Sequence, residues 1–179
     1  MLKWLLIAVV AAGCLLLWRM TAQANRNLPK TGERAPEFKL PDQHGRVRTS
    51  AEFLGKWLVL YFYPRDDTPG CTTQAGCYRD GMRDLEAQGA TVCGVSVDDS
   101  LSHAAFARKY DLLFPLLADN KGETAARYGS LRDFGFLKFA RRNTFLIDPA
   151  GKIAKVYLGV NAARDMINVT NDLSKLKKS

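Results

Sequence analysis

Residues 56–71 read KWLVLYFYPRDDTPGC and divide at Pro64. Up to that proline the run is nearly continuous in apolar, β-preferring residues, as expected of a strand buried on both faces. Beyond it a polar turn closes in Pro-Gly. From Thr72 to about Gln88, charged and polar residues mix with Ala75, Tyr78, Met82 and Leu85, the last three at helical spacing, and Gly89 supplies a C-terminal stop. The pattern predicts a strand, a turn, and a helix beginning at or just after Cys71.

Working outward, FKLPDQHGRVRTS (38–50) alternates apolar and polar around Asp42-Gln43-His44-Gly45 and reads as a short hairpin. ATVCGVSVD (90–98) is a second buried strand, SHAAFARKYD (102–111) a second helix, LLFPLLAD (112–119) a short strand and GETAARYG (122–129) a third helix. NTFLID, the turn PAGK and IAKVYLG form an antiparallel hairpin, and a last helix spans about 162–177. GSLRDFGFLKFA (129–140), rich in Phe, is read as a loop packed on the core, with a pocket mouth, a partner or a membrane as its other readings. Strands alternating with helices and ending in a hairpin predict a three-layer α/β domain with a mixed sheet. With 179 residues, 47% of them apolar, the chain can bury one sizeable core. The domain is expected over 35–179, after a polar linker over 25–34.

The first residues read differently. Met1-Leu2-Lys3 precedes WLLIAVVAAGCLLLW (4–18), fifteen residues without a charge, and then Arg19. Residues 1–24 are expected to be a signal peptide or membrane anchor, not part of the fold. The stretch is short of the roughly 20 residues of a spanning helix, and Ala22-Gln23-Ala24 fits a cleavage site. Arg19 argues against cleavage, and a lipoprotein reading of Cys14 is weakened by the apolar residues after it. Export to the cell envelope, periplasmic or anchored in the inner membrane through residues 4–18, is the preferred location. Arg19, Arg26, Lys30 and Arg34 outnumber Lys3 and favour the alternative, a cytoplasmic domain.

The net charge of +8 becomes +6 without residues 1–24, which hold Lys3 and Arg19 and no acid. The basic residues are dispersed, with no clustered stripe or aromatic interleaving, so nucleic acid is not an expected partner. Four cysteines are too few for a disulfide scaffold, and His44 and His103 stand far from them in sequence, so no structural zinc site is expected.

Cys71 is the candidate nucleophile. At the start of a helix, free N–H groups and the helix dipole favour the thiolate, the form that attacks. Thr68 brings a hydroxyl able to donate and accept, and Pro64 can wall the site without a competing N–H. The plain alternative is a small apolar residue at a helix cap, since free cysteines are often buried and inert.

The stretch YFYPRDDTPGCTTQAGCYRD (61–80) resembles the active-site segment of the peroxiredoxins, in particular the bacterioferritin-comigratory or Q-type branch with its Pro-x-x-x-Thr-x-x-Cys, here Pro64, Thr68 and Cys71. The likeness continues through TGERAPEFKLPDQHG, VCGVSVD and RNTFLIDPAGKI. It implies a thioredoxin-like α/β/α fold and a thiol-dependent peroxidase that reduces hydrogen peroxide and organic hydroperoxides. The catalytic arginine implied by aligning TFLID is Arg142, with Arg141 the alternative if the register slips by one. Taken without the resemblance, Arg142 reads as an exposed charge at a hairpin edge.

Peroxide would leave Cys71 as a sulfenic acid, which condenses with a nearby thiol. Cys77 is the expected resolving cysteine, one place later than the branch usually has it, where this chain carries Gly76. Six residues of helix rise about 9 Å, whereas a disulfide wants Cα atoms within about 7 Å, so the helix must unwind first, and Gly76 weakens it there. Cys93 is the runner-up but sits in an expected core strand. The resemblance implies no metal or organic cofactor, a thioredoxin-like dithiol reductant as partner, and a monomer or weak dimer. Two rivals stand beside it: an envelope thiol-disulfide reductase, for which the C-x-x-C pair is missing, and a non-enzymatic redox sensor.

Overall fold

The computed structural model describes residues 27–178 and, ahead of them, only Lys3, Trp4, Ile7 and Gly13. The chain runs β1 (Lys39–Pro41), β2 (Val47–Thr49), a 3-10 turn (Ser50–Phe53), β3 (Trp57–Phe62), α1 (Pro69–Asp80), α2 (Met82–Ala87), β4 (Ala90–Ser96) and α3 (Ser100–Tyr110). It continues through β5 (Leu116–Ala118), α4 (Glu123–Arg127), β6 (Leu131–Asp133), β7 (Lys138–Ala140), β8 (Asn143–Ile147), β9 (Ile153–Tyr157) and α5 (Asp165–Leu176).

Five strands form the central sheet in the order β5-β4-β3-β8-β9. β3, β4 and β5 are parallel, while β8 runs antiparallel to both β3 and β9. The sheet is therefore mixed, as the sequence predicts. β3 is buried on both faces because its side chains alternate between two apolar clusters. Val59 and Tyr61 pack with residues of α1, α2, α3 and α5, including Tyr78, Leu85, Phe106 and Leu173. Leu58, Leu60 and Phe62 pack on the other face with Phe38, Phe53, Ala125 and Tyr128. The three layers are thus uneven: four helices cover one face, and the short α4, the 3-10 turn and the N-terminal hairpin cover the other.

Several expectations need correction. The helix expected over 72–88 is two helices, and it begins at Pro69, where the ring's fixed φ suits the first turn. It breaks at Gly81, where the Met166 side chain of α5 occupies the space a Cβ would take. The last helix starts at Asp165 instead of about 162. The stretch 129–140 is a two-stranded hairpin, β6 with β7. The expected linker is tied down at its C-terminal end, since Gly32 N donates to Ile153 O and Ile153 N donates to Glu33 O, both at 2.8 Å. The leader reading over 1–24 and Cys14 lies outside the described residues, apart from the four named above. Among the described residues no helix is long and apolar enough to cross a membrane.

Candidate active site

β3 delivers the chain to a six-residue loop, 63–68, from which α1 rises. Asp66 holds that loop. Its carboxylate accepts from Tyr63 Oη at 2.7 Å and Ser102 Oγ at 2.7 Å and lies 2.8 Å from His103 Nδ1. Its own N–H donates to Asp98 Oδ2 at 2.9 Å. Burial pushes the Asp66 carboxyl up, but the hydrogen bond and interaction with His103, helped by Ser102 and Tyr63, outweigh it and hold the group below the usual range. Asp67 takes the left-handed conformation, φ 54°, and pairs with Lys109 at 2.7 Å. His103, which the sequence leaves without a role, therefore braces the loop from α3. Among the described residues no cluster could hold a metal.

Cys71 sits in the first turn of α1 and is buried. The first turn's N–H groups have no partner within the helix and point toward this end. Arg142 reaches the sulfur from the two-residue link that joins β7 to β8: its Nη2 is 3.3 Å from Cys71 Sγ. The register explains the meeting. Asn143 pairs with Phe62, so residue 142 arrives beside the end of β3 from which the loop departs. Gly70 permits the approach, since a Cβ there would stand 3.1 Å from Arg142 Nη2.

Arg142 is held in turn. Its Nη1 donates to Gln74 Oε1 at 2.7 Å, and Gln74 Nε2 donates to Asp165 Oδ2 at 2.7 Å. The same Asp165 oxygen accepts from Tyr78 Oη and Thr144 Oγ1, each at 2.7 Å. Asp165 thus fastens α1 and β8 to the start of α5. Sequence reasoning misses this relay. Its one local signal is Gln74, three residues after Cys71 on the same side of a helix; Asp165 lies far along the chain and gives no such signal.

Burial pushes the Asp165 carboxyl up, and this outweighs its three donors and the nearby Arg142 charge. The folded protein then holds that proton to higher pH than the unfolded chain does. Asp165 makes stability decline as pH climbs from the ordinary Asp range through the raised value. In urea unfolding, the wild-type midpoint relative to that of Asp165→Asn is expected to fall across this window; a pH-independent gap would contradict the assignment.

The other predicted residues fall as follows. Thr68 caps α1, and its hydroxyl donates to Arg65 O at 3.1 Å, leaving its oxygen able to accept from a bound molecule. Pro64 is half-buried where β3 ends. Arg141 does not meet the sulfur; its backbone N–H donates to Ser130 O at 2.6 Å, and its Nε is buried without a partner. Cys77 is half-buried near the other end of α1, its thiol 3.9 Å from Ala163 O, with unbroken helix between it and Cys71. Burial, then the charges of Asp80 and Asp165, push the Cys77 thiol up. Cys93 pairs in register with Leu60 and packs on the opposite face of the sheet from Cys71. Burial pushes its thiol far up, away from the thiolate form. All three described cysteines are free thiols.

A thioredoxin-like fold with a buried thiol at a helix N-terminus, facing an arginine just before the neighbouring antiparallel strand, defines a class of thiol-based redox proteins. Residues 31–156 match the AhpC/TSA family, and the chain belongs to it. Among curated relatives, peroxiredoxin Q of Triticum aestivum chloroplasts is 43% identical over 127 residues, 70% of this chain and 58% of that protein. A putative peroxiredoxin bcp of Coxiella burnetii is 41% identical over 132 residues, 72% of this chain and 87% of that one. The chain thus spans under three fifths of the length of the wheat protein and most of the Coxiella one. Among solved structures, peroxidoxin BcpB of Mycobacterium tuberculosis superposes with a TM-score of 0.79 at 32% identity, over 83% of this chain and 98% of that one. The bacterioferritin comigratory protein of Xanthomonas campestris, studied for its alkyl peroxide reduction activity, gives 0.75 at 27% identity, over 82% and 99%.

Proposed function

We propose that this chain is a thiol-dependent peroxidase that reduces hydrogen peroxide and organic hydroperoxides. The observation that carries the reading is the 3.3 Å contact between Arg142 and the buried sulfur of Cys71 in the first turn of α1. The names and the alkyl peroxide activity of the relatives support it.

Cys71 attacks as the thiolate, forming an S–O bond to the terminal peroxide oxygen while the O–O bond breaks. The departing oxygen takes a proton and leaves as water or an alcohol, and the sulfur is left as a sulfenic acid. Arg142 holds the thiolate and donates to the leaving oxygen as negative charge grows on it. Thr68 accepts from the peroxide hydroxyl and orients it, and Pro64 keeps water away. Cys77 then attacks the sulfenic sulfur, water departs, and a disulfide forms. A thioredoxin-like dithiol reductant returns both thiols.

The Cys77 step requires α1 to open between the two cysteines, since the intact helix separates them by about 9 Å of rise. Gly76 fits that need: a Cβ there would touch nothing, so packing does not demand glycine. Gly76→Ala is expected to stabilise the helix by about 0.5–1 kcal/mol and to slow disulfide formation in stopped-flow measurements. An unchanged resolution rate would remove glycine from the mechanism.

Intact-mass and peptide mapping after one equivalent of hydrogen peroxide tests the whole reading, with Cys77→Ser alongside. The expected products are a Cys71–Cys77 disulfide in the wild type and oxygen added to Cys71 in the variant. No reaction at Cys71 would overturn the peroxidase reading. Placement in the cell envelope, exported or anchored through 4–18, rests on the sequence of that stretch alone; protease accessibility in spheroplasts tests it.

A further inference from the structure

The β6–β7 hairpin is amphipathic in an unusual direction. In its register Arg132 stands opposite Phe139 and Asp133 opposite Lys138. Side chains alternate across such a ribbon, so Arg132, Phe134, Phe139 and Arg141 share one face. Leu131 and Ala140 lie on the other face and pack into the core. The outward face therefore carries Arg141 at its base, then Arg132 level with Phe139, and Phe134 nearer the tip, with the rings of Phe134 and Phe139 stacked at 5.9 Å between centroids. At the turn, Phe136 is 94% exposed and Leu137 47%, so with Phe134 the tip presents adjoining apolar side chains to solvent.

The charges here are also unbalanced. Asp133 is taken up by Lys138 at 3.1 Å. Arg132 and Arg141 have no acidic partner among the described residues, and the Arg141 Nε is buried without an acceptor. Apolar side chains at a tip with unpaired cations behind them match the depth profile of an anionic bilayer, with headgroup phosphates outside and acyl chains beneath. A protein partner of opposite charge would satisfy the guanidiniums but would leave Phe136, at the far end, without a reason to be apolar.

We propose that the β6–β7 hairpin is a docking surface for anionic lipid, inserting Phe136 and Leu137 among the acyl chains while Arg132 and Arg141 bind headgroup phosphates. Arg142 follows this hairpin directly, two residues after the end of β7, so docking sets the Cys71 site at the bilayer surface. The inference is independent of what Cys71 does.

The test is amide hydrogen exchange over 131–141 in the full chain, with vesicles of phosphatidylcholine alone or containing about 30% phosphatidylglycerol. Exchange is expected to slow about tenfold on the anionic vesicles only, and the effect to vanish at about 0.5 M salt, where headgroup charge is screened. Phe136→Ser combined with Leu137→Ser, and separately Arg132→Gln, should each abolish the slowing while hydrogen peroxide consumption in solution stays at the wild-type rate. The salt titration needs no variant and so stands even if a substitution disturbs folding. Equal slowing on neutral vesicles, slowing that follows protein concentration without lipid, slowing only with a dithiol reductant, or none at all would each overturn the proposal. The second and third outcomes would identify another copy or the reductant as occupant.

Discussion

A Cys71→Ser variant is expected to lose peroxide consumption by a factor of about 10³ or more. The hydroxyl that replaces the thiol is far harder to ionise and is a poor nucleophile without a neighbouring base. Among the described residues no imidazole stands beside Cys71 to supply one: His103 is engaged with Asp66. Folding should survive, because serine is smaller than cysteine and keeps a donor and an acceptor for Arg142. The measurement is peroxide consumption with a dithiol reductant, alongside a circular dichroism melt. Residual activity near the wild-type level would remove Cys71 from the chemistry.

Arg142→Gln is expected to lower the rate of Cys71 oxidation by about 10²–10³-fold, the usual cost of removing a preorganised donor from a site where charge develops. Two effects combine here. The sulfur loses the cation 3.3 Å away, and Gln74 Oε1 loses its donor at 2.7 Å, freeing the amide to turn. Arg142→Lys should recover only part, because one ammonium cannot reproduce the fork that meets Cys71 and Gln74 together. Arg141→Gln separates the two register choices. Its side chain makes no hydrogen bond to the sulfur, so its effect on peroxide chemistry in solution should be small. A larger loss at Arg141 than at Arg142 would reverse the assignment.

Asp165 gives these contacts their rigidity. A single carboxylate oxygen ties Gln74 and Tyr78 of α1 to Thr144 of β8. Gln74 lies between the two cysteines in sequence, so the unwinding proposed for a Cys71–Cys77 disulfide would strain the Gln74–Asp165 bond, and the relay that holds Arg142 at the sulfur would oppose that step.

Much of this was legible in the sequence because it is local. The apolar run 57–63 read as a strand buried on both faces because it is short, rich in β-preferring residues and stopped by Pro64. The turn after Pro64 fixed where a helix could start, and Cys71 followed as the residue in its first turn. The hairpins around 42–45 and 149–152 carried their own turn chemistry. The resemblance then singled out Arg142, which no property of its immediate neighbours distinguishes from Arg141. The two helices divided at Gly81 were less legible, since the apolar residues Tyr78, Met82 and Leu85 keep helical spacing across the break. The hairpin 131–140 was missed because its apolar residues face solvent, where patterning normally places polar ones.

By itself the sequence determined the main alternation of strands and helices, the expectation of a mixed sheet and the place of the candidate nucleophile Cys71 at a helix start, for these were read from residues close along the chain. Only the tertiary structure decided that Arg142 meets the sulfur, that Cys93 lies across the sheet, and that Asp165 joins α1, β8 and α5. Those outcomes follow from strand register and helix approach, where a shift of one residue turns a side chain to the opposite face, and no local pattern encodes them.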